Sequence, residues 1–144
     1  MKKFNSLRDT TLDEYGSVLD AIERDGFVIT LSVKHDKYST PYNTGKDYTP
    51  EDVARWVAGH WFMGSLSLSV HCDDVMLAGS AVEVHGIECN ISKGSNEYIS
   101  DLANELINEA LFEGNKLRNQ VLSSVSTDVL IAEILKRVDA TERR

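Results

Sequence analysis

Residues 65–89, SLSLSVHCDDVMLAGSAVEVHGIEC, carry the most regular pattern in the chain and decide its fold class. In residues 65–70, leucine or valine alternates with serine, which is the period-two pattern of a strand with one apolar face. Asp73-Asp74 and Gly79-Ser80 are turn-forming pairs that divide the remainder of the stretch. The stretch therefore predicts three strands of an antiparallel meander, at residues 65–71, 75–78 and 81–89.

The preceding sequence predicts a helix and a further strand. Apolar residues from Leu12 to Ile22 recur at helical spacing after Thr11 and Glu14, which form a capping-box pattern. This predicts a helix over residues 12–25. Apolar residues then stand at every second position from Phe27 to Val33, which predicts a strand over residues 27–33.

Three more helices complete the prediction. The run Thr49-Pro50-Glu51-Asp52 combines a capping Thr, a first-turn Pro and two acids, which is typical of a helix start. It predicts a helix over residues 50–60, and helical spacing predicts two others over residues 96–113 and 127–140. The fold class is α+β, with an antiparallel sheet of about four strands packed against segregated helices. With 144 residues and 42% apolar residues, the chain is expected to form a single domain over residues 1–144.

Charge and hydropathy bound the classes of function. The formal net charge of −8 disfavours direct binding to nucleic acid or to anionic lipid, whereas a basic protein partner fits it. The apolar runs are shorter than the roughly 18 residues that span a bilayer. The N-terminal segment turns polar where a signal peptide would be apolar, so a cytoplasmic location is expected. No cofactor and no metal are predicted.

A row of acids runs along the predicted helix 96–113, NEYISDLANELINEALFE. No Lys or Arg lies between Lys93 and Lys116, and five acids recur at every fourth residue. They are Glu97, Asp101, Glu105, Glu109 and Glu113. Each like-charged pair at this spacing costs about 0.2–0.5 kcal/mol, so the uniform sign is not explained by amphipathicity alone.

Three interpretations of this row stay open. It is a solvated face of an acidic protein, or it pairs with basic residues near the C-terminal end, or it binds a basic partner surface that normally receives nucleic acid. The basic residues in question are Lys116, Arg118, Lys136, Arg137, Arg143 and Arg144. Separately from the acidic row, the broad apolar face of the predicted helix 127–140 would suit a homodimer, and packing within the chain would explain that face equally well.

Residues 34–48, KHDKYSTPYNTGKDY, predict a long loop of recognition type. The loop combines tyrosines with Ser, Thr, Asn and Gly, a composition shared with evolved binding surfaces. The ligand- or partner-binding candidates are Tyr38, Tyr42, Lys46 and Tyr48. Tyrosines that pack back onto the domain would explain the loop equally well.

A third group of residues suggests chemistry. If Gly79-Ser80 were a two-residue hairpin turn, Asp74 would face His85, and Cys72, Asp74, Glu83 and His85 would share one side of the sheet. A thiol, carboxylates and an imidazole on one side are the groups that metals and thiol catalysis use. Their spacing matches no known ligand motif, and the chain lacks the P-loop, nucleophile-elbow and zincin signatures.

The leading hypothesis is a small acidic, non-enzymatic protein that binds and blocks a basic protein surface. In general character such a domain resembles the accessory anti-defence inhibitors, some of them nucleic-acid mimics, that phages and other mobile elements carry. The alternative is a binder of a small, nucleotide-like ligand that uses the tyrosine-rich loop. A third hypothesis is an enzyme or metal protein centred on Cys72, Asp74 and His85.

Overall fold

The computed structural model describes residues 2–92, 95–124 and 133–137. In these residues a four-stranded antiparallel sheet lies beside helices, which confirms the predicted α+β class. The strands are β1 (Ser17–Arg24), β2 (Phe27–His35), β3 (Phe62–Cys72) and β4 (Val75–Cys89). The helices are α1 (Pro50–Val57), α2 (Glu97–Glu105) and α3 (Ile107–Ser124), and residues 133–137 are also helical.

The sheet is a simple meander with the strand order β1-β2-β3-β4. Its central strands bury one apolar row against α2 and α3, and this row is drawn from alternate positions of β2 and β3. Ile29, Leu31, Leu66, Leu68 and Val70 are all fully buried. Among the described residues, no helix is both long enough and apolar enough to cross a membrane.

The predicted helix 12–25 is wrong, because Ser17–Arg24 forms the edge strand β1. Asp25 and Gly26 both have positive φ, at 54° and 83°, and they make a two-residue turn that pairs β1 with β2. Tyr15 and Val18, which would have belonged to the helix's apolar face, are 88% and 68% exposed. Pairing with β2 therefore prevails over the helical spacing of a short segment.

The predicted turn at Gly79-Ser80 is also wrong, and residues 75–89 form one strand instead of two. The hairpin turn lies at Asp73-Asp74, where both residues have positive φ. Three register shifts fit the 15 residues of β4 against the 11 of β3. Gly79 and Ser80 lie in one of these bulged segments, and Ser80 Oγ is 2.8 Å from Ser67 Oγ.

The predicted helix 96–113 is divided at Leu106 into α2 and α3, and α3 continues to Ser124. The break is a kink, since Leu106 keeps αR backbone angles and its carbonyl accepts a hydrogen bond from the Ala110 N–H. The predicted helix 50–60 ends earlier, at Val57, and its Thr49 cap accepts from the Asp52 N–H as expected. The predicted helix 127–140 lies outside the described residues except for 133–137, which are helical.

Candidate functional site

The five predicted acids of α2 and α3 lie on the outer side of the helices and form what we call the acidic face. The buried row on the inner side consists of Ile99, Ala103, Ile107 and Ala110. Each of the first four acids is two residues away in sequence from a buried residue. Two residues correspond to a rotation of about 200° around the helix axis, so acids and buried residues lie on opposite sides. Glu97, Asp101, Glu105 and Glu109 are exposed, and Glu113 is half-buried. The row continues across the kink because Leu106 remains in the αR region.

The acidic face has no ion pair within the part of the chain that the structure describes. Arg118, one of the basic residues that could have neutralised it, lies 4.8 Å from the centre of the Phe27 ring and bonds to Asn115. Arg137 pairs with Glu133 at 3.6 Å. Arg143 and Arg144 lie outside the described residues. The repulsion along the row is therefore not relieved by any described neighbour.

Phe112, which was not among the residues predicted to bind a partner, adds an apolar group to the acidic face. It is 68% exposed, and it follows Glu105 by seven residues, so the two side chains lie almost above one another along the helix. Glu109 and Glu113 flank it. The signal was present in the sequence, since Phe112 is out of phase with the buried row that runs from Ile99 to Ala110.

The predicted recognition loop divides into anchoring and exposed residues. The Tyr48 hydroxyl donates to Glu88 Oε1 at 2.7 Å, and the Lys46 ammonium lies 3.1 Å from the same oxygen. Burial and the bond to Glu88 raise the pKa of Tyr48. Tyr38 and Tyr42, in contrast, are 79% and 71% exposed. Lys46 and Tyr48 thus hold the loop on β4, while Tyr38 and Tyr42 face solvent.

A buried carboxylate, Asp36, fixes the start of this loop. It is 5% exposed and accepts hydrogen bonds from the Tyr38 N–H, the Ser39 hydroxyl and the Gly86 N–H at 3.1, 2.7 and 3.1 Å. Burial alone would raise the pKa of the Asp36 carboxyl. The three hydrogen bonds, with the His85 ring nearby, hold that pKa below its ordinary value instead.

A bulge in β4 places His85 beside Asp36. Gly64 pairs with Ile87 and Leu66 with Val84, so His85 and Gly86 together oppose the single residue Ser65. Gly86 has a φ of 70°, which suits a glycine in a bulge. The His85 Nδ1 atom lies 2.9 Å from Ser65 Oγ and 3.6 Å from Asp36 Oδ2, and its Nε2 atom lies 3.7 Å from Glu83 Oε1.

These residues line an open pocket of about 290 Å³, which we call the His85 pocket. Its remaining walls come from the end of β2 and the start of the loop, including Lys34, Lys37 and Tyr38. Of the four binding candidates predicted in the loop, Tyr38, Tyr42, Lys46 and Tyr48, Tyr38 alone lines this pocket. Asp36 and Ser65 were missed by sequence reasoning. The available signal was Gly86, since a lone glycine inside a strand pattern suggests a bulge.

The register that would have placed Asp74 opposite His85 is wrong, so Cys72, Asp74 and His85 do not form one group. Cys72 pairs with Val75 at the hairpin end of β3, and Asp74 lies in the turn. His85 lies beside Ser65, seven residues from Cys72 along β3, which is roughly 23 Å at the rise of a strand. Among the described residues, no group of three or more His, Cys, Asp or Glu could hold a metal ion. Burial, with Glu88 adjacent, raises the pKa of the other thiol, Cys89, to about 12.

Comparison with known proteins gives no functional information about the acidic face or the His85 pocket. The chain matches no family model, no curated protein and no solved structure.

Proposed function

We propose that this chain is a non-enzymatic interaction protein whose acidic face binds and blocks a basic surface of a partner protein. The observation that supports this most directly is the exposure of four like-charged side chains in one row without an ion pair to any described residue. The four like-charged pairs that the five acids form at this spacing cost about 1–2 kcal/mol by the pairwise estimate. A basic partner would turn this repulsion into attraction and would speed the association.

Phe112 supports the proposal independently of charge. Protein interfaces combine an apolar or aromatic centre with a polar rim, and rows of charge that serve only solubility need no exposed ring. With Phe112 between Glu109 and Glu113 near its C-terminal end, the acidic face has the composition of an interface in which carboxylates select the partner and the ring is desolvated on binding.

The spacing of the acids suggests the kind of basic surface. Four residues of helix advance about 6 Å, so the carboxylates repeat at a distance comparable to that between successive phosphates of a nucleic-acid strand. A protein groove that normally receives nucleic acid would match such a row. Blocking a nuclease in this way is the role of the anti-defence inhibitors that phages and mobile elements carry, and we propose it as the role of this chain.

The proposal is tested by reversing charge at the centre of the acidic face. In a pull-down from the native host followed by mass spectrometry, Glu105→Lys/Glu109→Lys should lose the partner that the wild-type chain captures. The affinity for that partner should fall about 100-fold or more, because attraction is replaced by repulsion at two positions. Added salt should weaken the wild-type complex by screening.

The matched control is Asp9→Lys/Glu14→Lys, which changes the net charge by the same amount at two exposed positions outside the helices. It should retain the partner. Equal capture by both double variants, with both folded by circular dichroism, would show that the acidic face is only a solvated surface.

Truncation of the exposed ring is a separate prediction. Phe112→Ala should weaken the same complex about tenfold or more, in the range of interface anchor residues. The free energy of unfolding should change by less than about 0.5 kcal/mol, since the ring is 68% exposed. Calorimetric titration of the identified partner and urea unfolding of the free chain measure the two quantities. A stability loss without an affinity loss would place Phe112 in the fold instead of the interface.

A further inference from the structure

The His85 pocket lies on the side of the sheet opposite to the acidic face. Ser65 and Lys34 alternate with Leu66 and Val33, whose side chains point toward α2 and α3. The pocket is built on two polar side chains that are more than nine-tenths buried, Asp36 and Ser65. A site on this side is therefore independent of the proposed interface.

The two carboxylates of the pocket, Asp36 and Glu83, are held in place by neighbouring groups. Asp36 accepts three hydrogen bonds, and Glu83 lies 3.7 Å from the His85 ring. These contacts fix both side chains without removing their charge, so a ligand anion has to bind on the lysine side of the pocket.

The positive charges are not held in this way. Lys34 and Lys37 are both exposed, and neither has a carboxylate partner within residues 2–92, 95–124 and 133–137. The loop from residue 34 onward is locally basic in a chain whose net charge is −8. Two ammonium groups without a carboxylate partner at the mouth of a pocket suit an anionic group such as phosphate.

An aromatic surface lies beside these cations. The Tyr38 ring is 79% exposed, and Lys37 Nζ is 5.1 Å from its centre. A planar ring stacked on Tyr38 would place an attached anionic group close to the ammonium groups. Exposed aromatic side chains are the usual platforms on which nucleic-acid bases stack.

We propose that the His85 pocket binds a small phosphorylated ligand with a planar ring, which is the chemistry of a nucleoside monophosphate. Lys34 and Lys37 bind the phosphate, and Tyr38 stacks on the ring. The volume of about 290 Å³ lies near the lower limit of small-molecule sites, so a single nucleotide unit fits better than a dinucleotide.

The experiment titrates the full chain with AMP, GMP, CMP and UMP, with adenosine and inorganic phosphate as half-ligands, by calorimetry and thermal unfolding. At least one monophosphate should bind saturably and raise the unfolding temperature. Lys34→Gln should weaken that binding about tenfold, because a charge-assisted contact is lost. Tyr38→Ala should weaken the binding by a similar factor. The control Lys116→Gln removes one positive charge from an exposed position of α3 and should leave the binding unchanged.

Three results would overturn the proposal. They are the absence of saturation by any monophosphate at millimolar concentration, binding of inorganic phosphate as tight as that of the nucleotide, and equal losses in Lys34→Gln and Lys116→Gln. Both lysines are exposed, so circular dichroism of the variants is expected to match the wild type and to keep each result interpretable.

Discussion

Asp36→Ala should lower the free energy of unfolding by about 2–3 kcal/mol and release the loop from β4. The substitution leaves the Tyr38 N–H, the Ser39 hydroxyl and the Gly86 N–H without their acceptor. A buried donor that loses its partner costs about 1–3 kcal/mol, although removing a carboxylate from a buried position returns part of this. Urea unfolding measures the stability, and trypsin cleavage after Lys37 and Lys46 measures the release of the loop.

The same carboxylate predicts a pH dependence with a definite sign. The pKa of Asp36 in the folded chain lies below its ordinary value of 3.8, so the unfolded chain binds the proton more tightly. The stabilisation is complete well above pH 3.8 and is lost as the pH falls through that value and the folded pKa. Asp36→Asn keeps the shape of the side chain and should remove this part of the acid sensitivity.

Asp47→Ala is the matched control, because Asp47 is an exposed carboxylate of the same loop. It should change the free energy of unfolding by less than about 0.5 kcal/mol and leave the trypsin pattern unchanged. Equal stability of Asp36→Ala and Asp47→Ala would mean that the loop is held without the buried carboxylate, by Lys46 and Tyr48 on Glu88 alone.

The fold class could be read from the sequence because alternation in β2 and β3 reflects burial on one side. Helical spacing likewise predicted a helix over residues 96–113, which corresponds to α2 and the first part of α3. The spacing of apolar residues gave the wrong element for β1, because the residues from Leu12 to Ile22 fit helical spacing equally well. The Asp25-Gly26 pair is a strong hairpin signal, and it favours a strand over a helix for the residues before it.

The turn between β3 and β4 could not be placed from local signals. Asp73-Asp74 and Gly79-Ser80 are both turn formers, and the choice depends on bulges that arise only when the two strands pair. The wrong turn produced the wrong neighbour for His85. Its observed neighbours, Asp36 and Ser65, come from elements 49 and 20 residues away, since the bulge at Gly86 turns the ring toward them.

Gly64→Ala should destabilise the chain by about 1–3 kcal/mol, because β3 is buried on both sides at this point. A Cβ at Gly64 would lie 2.6 Å from Cys89 Sγ, 3.0 Å from Val33 Cγ1 and 3.2 Å from the Lys34 carbonyl oxygen. The first of these distances requires the thiol to move, yet Cys89 is fully buried. The backbone oxygen of β2 has no room to yield without disturbing the β2–β3 pairing.

Gly79→Ala is the matched control within the same hairpin, since its Cβ would meet only Met76 Sδ, at 3.5 Å. It should be neutral or stabilising by up to about 1 kcal/mol, as expected when a glycine is replaced without a clash.

Cys89→Ala in the Gly64→Ala background removes the nearest atom and should recover about 1 kcal/mol relative to the sum of the single effects. The recovery should be partial, because the contacts with Val33 and the Lys34 oxygen remain. Strictly additive urea-unfolding energies would show that the clash with the thiol is not what makes glycine necessary at this position.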